Sequence, residues 1–443
     1  MSNIRTVLIT LLIFAVSATV EAATLTTIHS FAGSPHDGNT PSASVALGPG
    51  GVLYGTTYYG GVGNCGAVFS LTPPTTAGDA WTRSLYSFPG NGPDGSCIGG
   101  ANPVAGLTVA REGMVLYGST QAGGNCTNGG TIFELRPPMA PASAWAESVL
   151  LNVCGTGGYL GGPDSSPVVG NGGVLYATTR GVYLVSGSVF SLTPPASPGE
   201  SWSQTVLHTF AGGRDGTQPN GAALGSGGQL YGTTETGGAS GCYGDFDGCG
   251  ILYSLTPPKS NGAPWVETIL HNFDDRIGDG TSPIGPVLIG TGGALYGTTE
   301  AGAGGSVGNY CNEGCGSIFS LIPPGASGEG EFTVLYQFTG ALNGDGAVPS
   351  GGLTAFNGVL YGTTQWGGVP GCFDGQGCGT IFSLAPPASP GGSWTETVLY
   401  RFTGGANGSS PNGSLAVDSH GVLYGTTYEG GAFNEGTVFS FTP

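Results

Sequence analysis

The stretch GVLYGTTYEGG, residues 421–431, decides the fold because the chain contains close variants of it seven times. The copies share a Leu-Tyr pair, and successive tyrosines of these pairs are 63, 59, 55, 65, 65 and 63 residues apart. They are Tyr54, Tyr117, Tyr176, Tyr231, Tyr296, Tyr361 and Tyr424. So regular a period is typical of a repeat architecture, in which each copy builds one structural unit.

The composition of the repeats indicates β-structure. Of 443 residues, 89 are glycine and 31 are proline, whereas only 8% are charged. The glycines and prolines bracket short apolar runs at fixed offsets, as they do where strands alternate with tight turns. Each repeat has four such runs, which in the last repeat are strand a (413–417), strand b (422–427), strand c (437–441) and the strand d that precedes them (397–402). Because strand b is apolar on both sides, the pattern predicts an all-β, seven-bladed β-propeller of four-stranded blades.

The phase of the repeat predicts how the ring closes. The stretch TLTTIHSF, residues 24–31, is a strand d without its own repeat, and the sequence ends on strand c of the seventh repeat. We therefore expect the N-terminal strand to complete the last blade in a three-plus-one closure, which leaves no open sheet edge. An open solenoid is the alternative, but it requires atypical capping repeats, which neither end of the sequence resembles.

Residues 1–22 have the pattern of a secretory signal peptide. Arg5 precedes an apolar run, and the segment Val20-Glu21-Ala22 has small residues at the positions that a signal peptidase recognises. A membrane anchor is a weaker interpretation because the run is short for a bilayer, so we expect no membrane insertion. The predicted product is a monomeric propeller domain over residues 23–443, secreted to the extracellular space, with the periplasm as the alternative. Its formal net charge of −18 argues against nucleic acid as a partner.

The repeat motif resembles that of the bacterial GloVer tandem repeat family. The resemblance rests on Gly-x-Leu-Tyr-Gly-Thr-Thr-x-x-Gly-Gly, followed by Gly-x-Val-Phe-Ser-Leu-Thr-Pro, and it extends over essentially residues 24–443. The third repeat departs most, with Ala177 in place of the central glycine and Arg180-Gly181-Val182-Tyr183 in place of x-x-Gly-Gly. The resemblance implies an exported, propeller-like protein, often with a C-terminal sorting anchor that this sequence does not show. It implies no activity.

Positions that recur in every repeat are expected to be structural. Five of the six tryptophans each follow a Pro-Pro pair by seven residues, namely Trp81, Trp145, Trp202, Trp265 and Trp394. Trp366, in the b–c loop of the sixth repeat, is the exception. Three histidines share a slot in strand d that other repeats fill with tyrosine, namely His29, His208 and His271. We find no nucleophile, base and orienting residue in a triad pattern, and no set of structural zinc ligands.

Aspartates recur in the d–a loops, at Asp37, Asp94, Asp164, Asp215, Asp279 and Asp345. The simpler interpretation is a side-chain-stabilised turn, because Asp-Gly favours turns. The alternative is that several of these carboxylates lie near the central channel and bind a cation such as calcium, which prefers oxygen ligands. The sequence indicates no other cofactor.

Ten cysteines in an exported chain indicate disulfide bonds. The spacing predicts three bonds within single b–c loops, namely Cys242–Cys249, Cys311–Cys315 and Cys372–Cys378. The start of strand c lies beside the end of strand d in a blade, which predicts the further bonds Cys65–Cys97 and Cys126–Cys154. A bond between Cys97 and Cys126 across two blades is the alternative.

The b–c and d–a loops leave the same face of the ring, and that face carries the most variable residues. We expect any ligand to bind there, because loops on a rigid scaffold commonly carry function. The candidate ligand-binding residues are those after the Thr-Thr pair, namely Tyr58, Tyr59, Glu235, Glu300, Gln365, Trp366, Tyr428 and Glu429. Aromatic rings beside carboxylates and amides suit a sugar, although solvated loop residues would give the same pattern.

Two functional hypotheses follow. The first is a non-catalytic scaffold that binds a glycan, another surface polymer or a protein. The second is a carbohydrate-active enzyme, a glycosidase or a lyase, that uses two carboxylates such as Glu235 and Glu300, or Glu300 and Glu429. Glycosidases need such a pair about 5 to 10 Å apart. The scarcity of charged residues favours the binding hypothesis.

Overall fold

The computed structural model describes residues 23–443, except for residues 77, 91–96, 112–113, 126–128, 139–143, 155–160, 182–186, 198, 239–241, 243–247, 261, 275–277, 303–313, 325–329 and 390. The predicted signal peptide lies outside the described residues, as do Asp94, Cys126 and Cys311. Among the described residues, no helix has both the length and the apolar character needed to cross a membrane.

Antiparallel β-strands account for almost all of the regular structure that is described. In chain order they are β1 (Thr24–Ser30), β2 (Gly38–Asn39), β3 (Ala46–Leu47), β4 (Leu53–Thr57), β5 (Tyr59–Gly60), β6 (Ala67–Thr72), β7 (Thr82–Ser87), β8 (Thr108–Ala110), β9 (Val115–Thr120), β10 (Gly130–Arg136), β11 (Ala146–Val153), β12 (Val168–Val169), β13 (Leu175–Thr179), β14 (Ser188–Thr193), β15 (Ser203–Thr209), β16 (Thr217–Pro219), β17 (Ala223–Leu224), β18 (Leu230–Thr236), β19 (Ile251–Thr256), β20 (Val266–Asn272), β21 (Thr281–Ile289), β22 (Leu295–Ala301), β23 (Ser317–Ile322), β24 (Glu331–Gln337), β25 (Gly346–Pro349), β26 (Thr354–Phe356), β27 (Val359–Gly367), β28 (Thr380–Ala385), β29 (Thr395–Arg401), β30 (Ser409–Val417), β31 (Leu423–Glu429) and β32 (Thr437–Thr442). Single 3-10 turns lie at Pro49–Gly51, Asn171–Gly173, Gly213–Asp215, Thr291–Gly293, Ala341–Asn343, Phe373–Gly375 and Gly405–Asn407.

These strands form the seven blades that the repeat predicts. From the axis outward, blades 1 to 3 are β3-β4-β6-β7, β8-β9-β10-β11 and β12-β13-β14-β15. Blades 4 to 6 are β16/β17-β18-β19-β20, β21-β22-β23-β24 and β25/β26-β27-β28-β29, where the inner strands of blades 4 and 6 are in two pieces. Blade 7 is β30-β31-β32-β1. The inner strand of each blade contacts the inner or the second strand of the blade before it, and the inner strands of blades 7 and 1 also meet, so the sheets form a closed ring.

The three-plus-one closure is confirmed. Strand β1 pairs antiparallel with β32, from Thr24 opposite Thr442 to Ser30 opposite Thr437. The N-terminal strand is thus strand d of blade 7, and it covers the edge that β32 would otherwise expose. Backbone pairing across the whole edge ties the two ends of the chain together.

The glycine of the Gly-Thr-Thr motif makes room for a buried aromatic ring of the neighbouring strand c. Gly55 lies opposite Phe69, which has no exposed surface. A Cβ atom at Gly55 would lie only 2.8 Å from Phe69 Cε1, which is closer than side chains pack. Blade 3 is the exception, since Ala177 lies opposite Phe190 and both are buried.

The two threonines of the motif have different tasks. The first binds the neighbouring blade: the Thr56 hydroxyl donates to the carbonyl of Ala105 over 2.9 Å, and that of Thr363 donates to the carbonyl of Gly413 over 3.1 Å. The second closes its own loop, because the Thr57 hydroxyl donates to the carbonyl of Tyr59, two residues further on. Since both threonines are buried, each bond also satisfies polar atoms that have no access to water.

Framework tryptophans join adjacent blades. Trp81 packs edge to face on Tyr424, with ring centroids 6.4 Å apart, and Trp202 packs in the same way on Tyr117. The pairs Tyr176–Trp265 and Tyr296–Trp394 repeat the contact. In these four joints, the tyrosine of a Leu-Tyr pair contacts the tryptophan of the next blade, as expected for structural residues.

Three predicted disulfide bonds are confirmed, namely Cys65–Cys97, Cys242–Cys249 and Cys372–Cys378. The first excludes the alternative bond between Cys97 and Cys126. Cys154 and Cys315 are also disulfide-bonded, but their predicted partners, Cys126 and Cys311, lie outside the described residues. The bonds are compatible with an oxidising extracellular environment.

Candidate functional site

The propeller axis holds a cavity of about 740 Å³. The inner part of its wall consists of the three residues that follow a proline at the inner edge of each blade, namely 42–44, 104–106, 164–166, 220–222, 284–286, 350–352 and 412–414. Most of these residues are Gly, Ala or Ser, because neighbouring inner strands crowd one another here. A Cβ atom at Gly351, for example, would overlap the backbone of Gly413 in the next blade. The first threonines of the motif bind carbonyls in this wall and hold it in place.

The residues after the Thr-Thr pair extend the wall at one end of the cavity. Among those that line it are Tyr58, Tyr59, Gln121, Arg180, Glu235, Glu300 and Tyr428. They come from strand b of blades 1 to 5 and 7. This position is the most variable in the repeat, and the ring topology brings its members together.

Blades 3 to 5 supply charged side chains to one side of this end of the cavity, which is called the opening below. The Arg180 guanidinium donates a hydrogen bond to Glu235 Oε2 and forms an ion pair with it. The same guanidinium contacts Gln218 Oε1 at 3.4 Å. Arg180 is thus held between Glu235 and Gln218, both of blade 4. Its positive charge neutralises the Glu235 carboxylate.

Asp164, which lies in a shorter d–a loop than the other recurrent aspartates, occupies a different position relative to the proline of its loop. In blade 3 it follows Pro163, and Pro163 pairs with Thr179 just as Pro349 pairs with Thr364. Asp164 therefore corresponds to Ser350 of blade 6 and lines the cavity, whereas Asp37, Asp215, Asp279 and Asp345 each precede a proline by four residues. Alignment on the proline instead of the aspartate would have revealed this.

The environment of Asp164 favours a protonated carboxyl near neutral pH. Its Oδ1 atom is buried and has no hydrogen-bond partner among the described residues. Burial raises the pKa of Asp164 to about 7, although the nearby Arg180 opposes the rise. Burial and the charge of Glu235 likewise raise the pKa of Glu300. The opening thus combines carboxyls that hold a proton readily with a carboxylate that is paired with arginine.

Blades 1 and 7 supply an aromatic side. The Tyr58 and Tyr59 rings pack edge to face with centroids 4.5 Å apart. Burial is the largest cause that raises the pKa of Tyr58, and the nearby hydroxyls of Tyr59 and then Tyr428 raise it further. Tyr59 and Tyr428 are 41% and 37% exposed. Because blades 7 and 1 are neighbours and blades 3 to 5 lie across the ring, the aromatic side faces the charged side over the cavity.

Three candidate residues do not line the cavity, namely Gln365, Trp366 and Glu429. Trp366 packs against a core cluster between blades 5 and 6 that contains Phe338 and Phe382. Glu429 follows Tyr428 in β31, and side chains alternate along a strand, so the two point to opposite sides. The structure therefore brings five of the eight candidates together.

Four of the recurrent aspartates, namely Asp37, Asp215, Asp279 and Asp345, do not line the axial cavity, whereas Asp164 does and Asp94 lies outside the described residues. Asp37 accepts hydrogen bonds from His29 and Arg83, and Asp279 contacts His271 at 2.7 Å. Asp345 accepts hydrogen bonds from the Tyr336 hydroxyl. Their partners belong to strand d, the outermost strand, and the backbone N–H groups of residues 32, 211, 274 and 339 also bind these carboxylates. This geometry corresponds to the turn interpretation.

Comparisons with known proteins agree with this fold. The sequence profile of the Gloeobacter/Verrucomicrobia repeat matches residues 12–182 and 243–443. A search of curated proteins found no match.

Solved structures share the fold at low identity. The extracellular domain of a protein assigned as a hybrid two-component system from B. thetaiotaomicron is 12% identical, with a TM-score of 0.53, over 95% of this chain and 42% of that chain. A chain of the mitotic checkpoint complex is 11% identical, with a TM-score of 0.51, over 99% of both chains. A PQQ-bound aldose sugar dehydrogenase from Streptomyces coelicolor is 13% identical over 77% of this chain and 92% of that chain, but its TM-score of 0.44 is too low to support an inference. These similarities concern the fold alone.

Proposed function

We propose that this chain, which belongs to the Gloeobacter/Verrucomicrobia repeat family, is an exported, monomeric, non-catalytic propeller that binds a glycan in its central cavity. The observation that carries the proposal is the pairing of two unlike walls. Tyr58, Tyr59 and Tyr428 lie on one side of a cavity of about 740 Å³, and Asp164, Glu235 and Glu300 lie on the other.

Sugars fit such a cavity because they have two kinds of surface. The C–H face of a pyranose ring stacks on tyrosine rings, and its hydroxyl groups exchange hydrogen bonds with carboxyl groups. A protonated Asp164 donates one hydrogen bond and the Glu235 carboxylate accepts hydrogen bonds, so the site offers partners for both the acceptor and the donor of a sugar hydroxyl group. The cavity volume lies within the range of about 300 to 1,000 Å³ usual for small-ligand sites.

Export is part of the proposal. The disulfide bonds Cys65–Cys97, Cys242–Cys249 and Cys372–Cys378 support an oxidising compartment, because thiols in the cytosol are kept reduced. The signal-peptide pattern of residues 1–22 supports the same destination. In that setting, glycans and other surface polymers are the available hydroxyl-rich ligands.

A glycan array with the purified protein tests the proposal. Tyr58→Ala and Tyr428→Ala should each weaken binding at least about tenfold, because each removes a stacking surface. Phe433→Ala is the matched control, since Phe433 is 61% exposed on the b–c loop of blade 7 and does not line the cavity. Absence of binding to every glycan, or equal losses in all three variants, would show the proposal to be wrong.

A second candidate function is a carbohydrate-active enzyme. It is favoured by one observation: Glu300, whose pKa is raised, lies close enough to sense the charge of Glu235, which is paired with Arg180. Carboxyl groups with such different environments are what general acid catalysis requires. Mass spectrometry of oligosaccharides that the array identifies distinguishes the two functions. Cleavage by the wild type, lost in a Glu300→Gln variant that still binds, would replace binding with catalysis.

A further inference from the structure

Three metal-ligand side chains converge at the outer rim of the ring, between blades 3 and 4. They are His208 in β15, Asp215 in the loop before β16, and Glu267 in β20. One ligand atom from each lies within 4.8 Å of the others. His208 Nε2 is 3.3 Å from Asp215 Oδ1 and 3.9 Å from Glu267 Oε1. None of the three belongs to the cavity.

The other blades provide an internal comparison for this arrangement. His29 Nε2 is 3.0 Å from Asp37, and His271 Nε2 is 2.7 Å from Asp279; both are hydrogen bonds. The side chain of the following blade's strand d that lies against the His-Asp pair differs between the two. At Asp37 it is the cation Arg83, 2.9 Å away.

At Asp279 that side chain is apolar. It is Phe332, which stacks on the His271 ring with centroids 3.6 Å apart. Only the group at Asp215, among the described ones with a histidine, places a second carboxylate against the His-Asp pair.

The second carboxylate changes the hydrogen bonding of the group. His208 Nε2 and Glu267 Oε1 are buried atoms, and neither has a hydrogen-bond partner in the part of the chain that the structure describes. Both belong to side chains about four-fifths buried, 20% and 16% exposed. His208 Nε2 and Glu267 Oε1 therefore lie near each other and near the Asp215 carboxylate without hydrogen-bond partners among the described residues. In blade 1, the Arg83 guanidinium occupies the place of the Glu267 carboxylate.

We propose that His208, Asp215 and Glu267 bind a divalent transition-metal ion, for which zinc is the best fit. An imidazole nitrogen with two carboxylate oxygens is a donor set that zinc accepts, whereas calcium takes oxygen ligands only. Ligands about 2.0 to 2.2 Å from a tetrahedral zinc lie about 3.4 Å apart, so the contacts of 3.3 and 3.9 Å require only small side-chain movements. The ion would compensate the two carboxylates as Arg83 compensates Asp37.

The proposed site has a consequence for the cavity. Asp215 is three residues before Gln218, whose side chain contacts Arg180 in the charged wall. Both residues lie on the segment that leads from the rim into the inner strand of blade 4. A bound ion would fix this segment at its outer end and thereby hold the partner of Arg180 in place.

The test is zinc binding by isothermal titration after treatment with a chelator, with thermal unfolding in parallel. The wild type should bind one zinc ion per chain with a raised Tm, and Glu267→Gln and His208→Gln should each weaken binding at least about tenfold. His271→Gln is the matched control, because it alters the equivalent pair of the next boundary and should leave zinc binding unchanged. Any zinc binding by the exposed His36 and His420 is the same in every variant and therefore does not affect the comparison.

X-ray absorption of the zinc-loaded wild type provides a readout that does not depend on the variants. It should show one imidazole nitrogen and carboxylate oxygens at about 2.0 to 2.2 Å. A wild type that binds no more zinc than Glu267→Gln, or a first shell without imidazole, would overturn the proposal. An equal loss in His271→Gln would do the same.

Discussion

The Thr426 hydroxyl donates a hydrogen bond to the carbonyl oxygen of Ala43, 2.9 Å away, across the seam where the first and last blades of the ring meet. The same hydroxyl is 3.0 Å from the carbonyl of Asn412. The contact between Thr56 and Ala105 has the same geometry one blade further along the ring. The seam is therefore built like any other joint between blades.

Thr426→Val tests whether the seam is also as strong as the other joints. Loss of the hydroxyl leaves buried carbonyls without a donor, and the free energy of unfolding should fall by about 1–3 kcal/mol. Thr56→Val is the matched variant and should cost a similar amount. Urea denaturation measures both values. If Thr426→Val had no effect while Thr56→Val destabilised the protein, the seam would not contribute as the geometry indicates.

Gly55→Ala should destabilise the protein by about 1–3 kcal/mol, because the added Cβ overlaps the fully buried ring of Phe69. Ala177→Gly in blade 3 is the reverse change at the equivalent position, where alanine is already accommodated beside Phe190. It should cost only about 1 kcal/mol, from lost burial and added backbone freedom. Thermal unfolding of the two variants measures the difference, and a neutral Gly55→Ala would contradict the packing argument.

Asp164 should make the stability of the protein depend on pH. Its pKa in the folded chain is about 7, above the ordinary value of 3.8, so the folded state binds more protons than the unfolded state between these values. Stability is therefore lost as the pH rises from about 4 to about 7.

Asp164→Asn removes this contribution, because an amide does not ionise. Relative to the wild type, the variant should gain about 2–4 kcal/mol between pH 4 and pH 8. Denaturation at a series of pH values measures the difference between the two proteins, which isolates Asp164 from other carboxyls with raised pKa such as Glu267 and Glu396. Parallel curves for the wild type and the variant would contradict the assignment.

The disulfide bonds should rank in their effect by the length of chain that they close. Cys65–Cys97 spans 32 residues and Cys242–Cys249 spans 7. In the chain-entropy description, replacing the first pair with serine should cost about 3–4 kcal/mol, and replacing the second should cost about 2 kcal/mol. Urea denaturation of the two double variants gives the ranking, which would be wrong if the short loop cost more.

The sequence by itself determined the ring and its closure. Seven copies of the Gly-Thr-Thr motif, of which the second has Ser119 and the third has Ala177, define seven units, and the lone strand at residues 24–30 fixes how the ends pair. These features follow from local patterns that recur, so they can be read along the chain. The position after the Thr-Thr pair was likewise visible as the most variable one.

Only the tertiary structure decided which variable residues meet. Arg180 and Glu235 are 55 residues apart and pair because strands b of blades 3 and 4 are adjacent at the axis. Trp366 was as plausible a ligand contact as Tyr428 in the sequence, yet its ring packs into the core. Asp164 lines the cavity because the pairing of Pro163 with Thr179 sets the position of its loop, and Asp164 directly follows that proline. Side-chain direction depends on strand phase and ring position, and a period along the chain specifies neither.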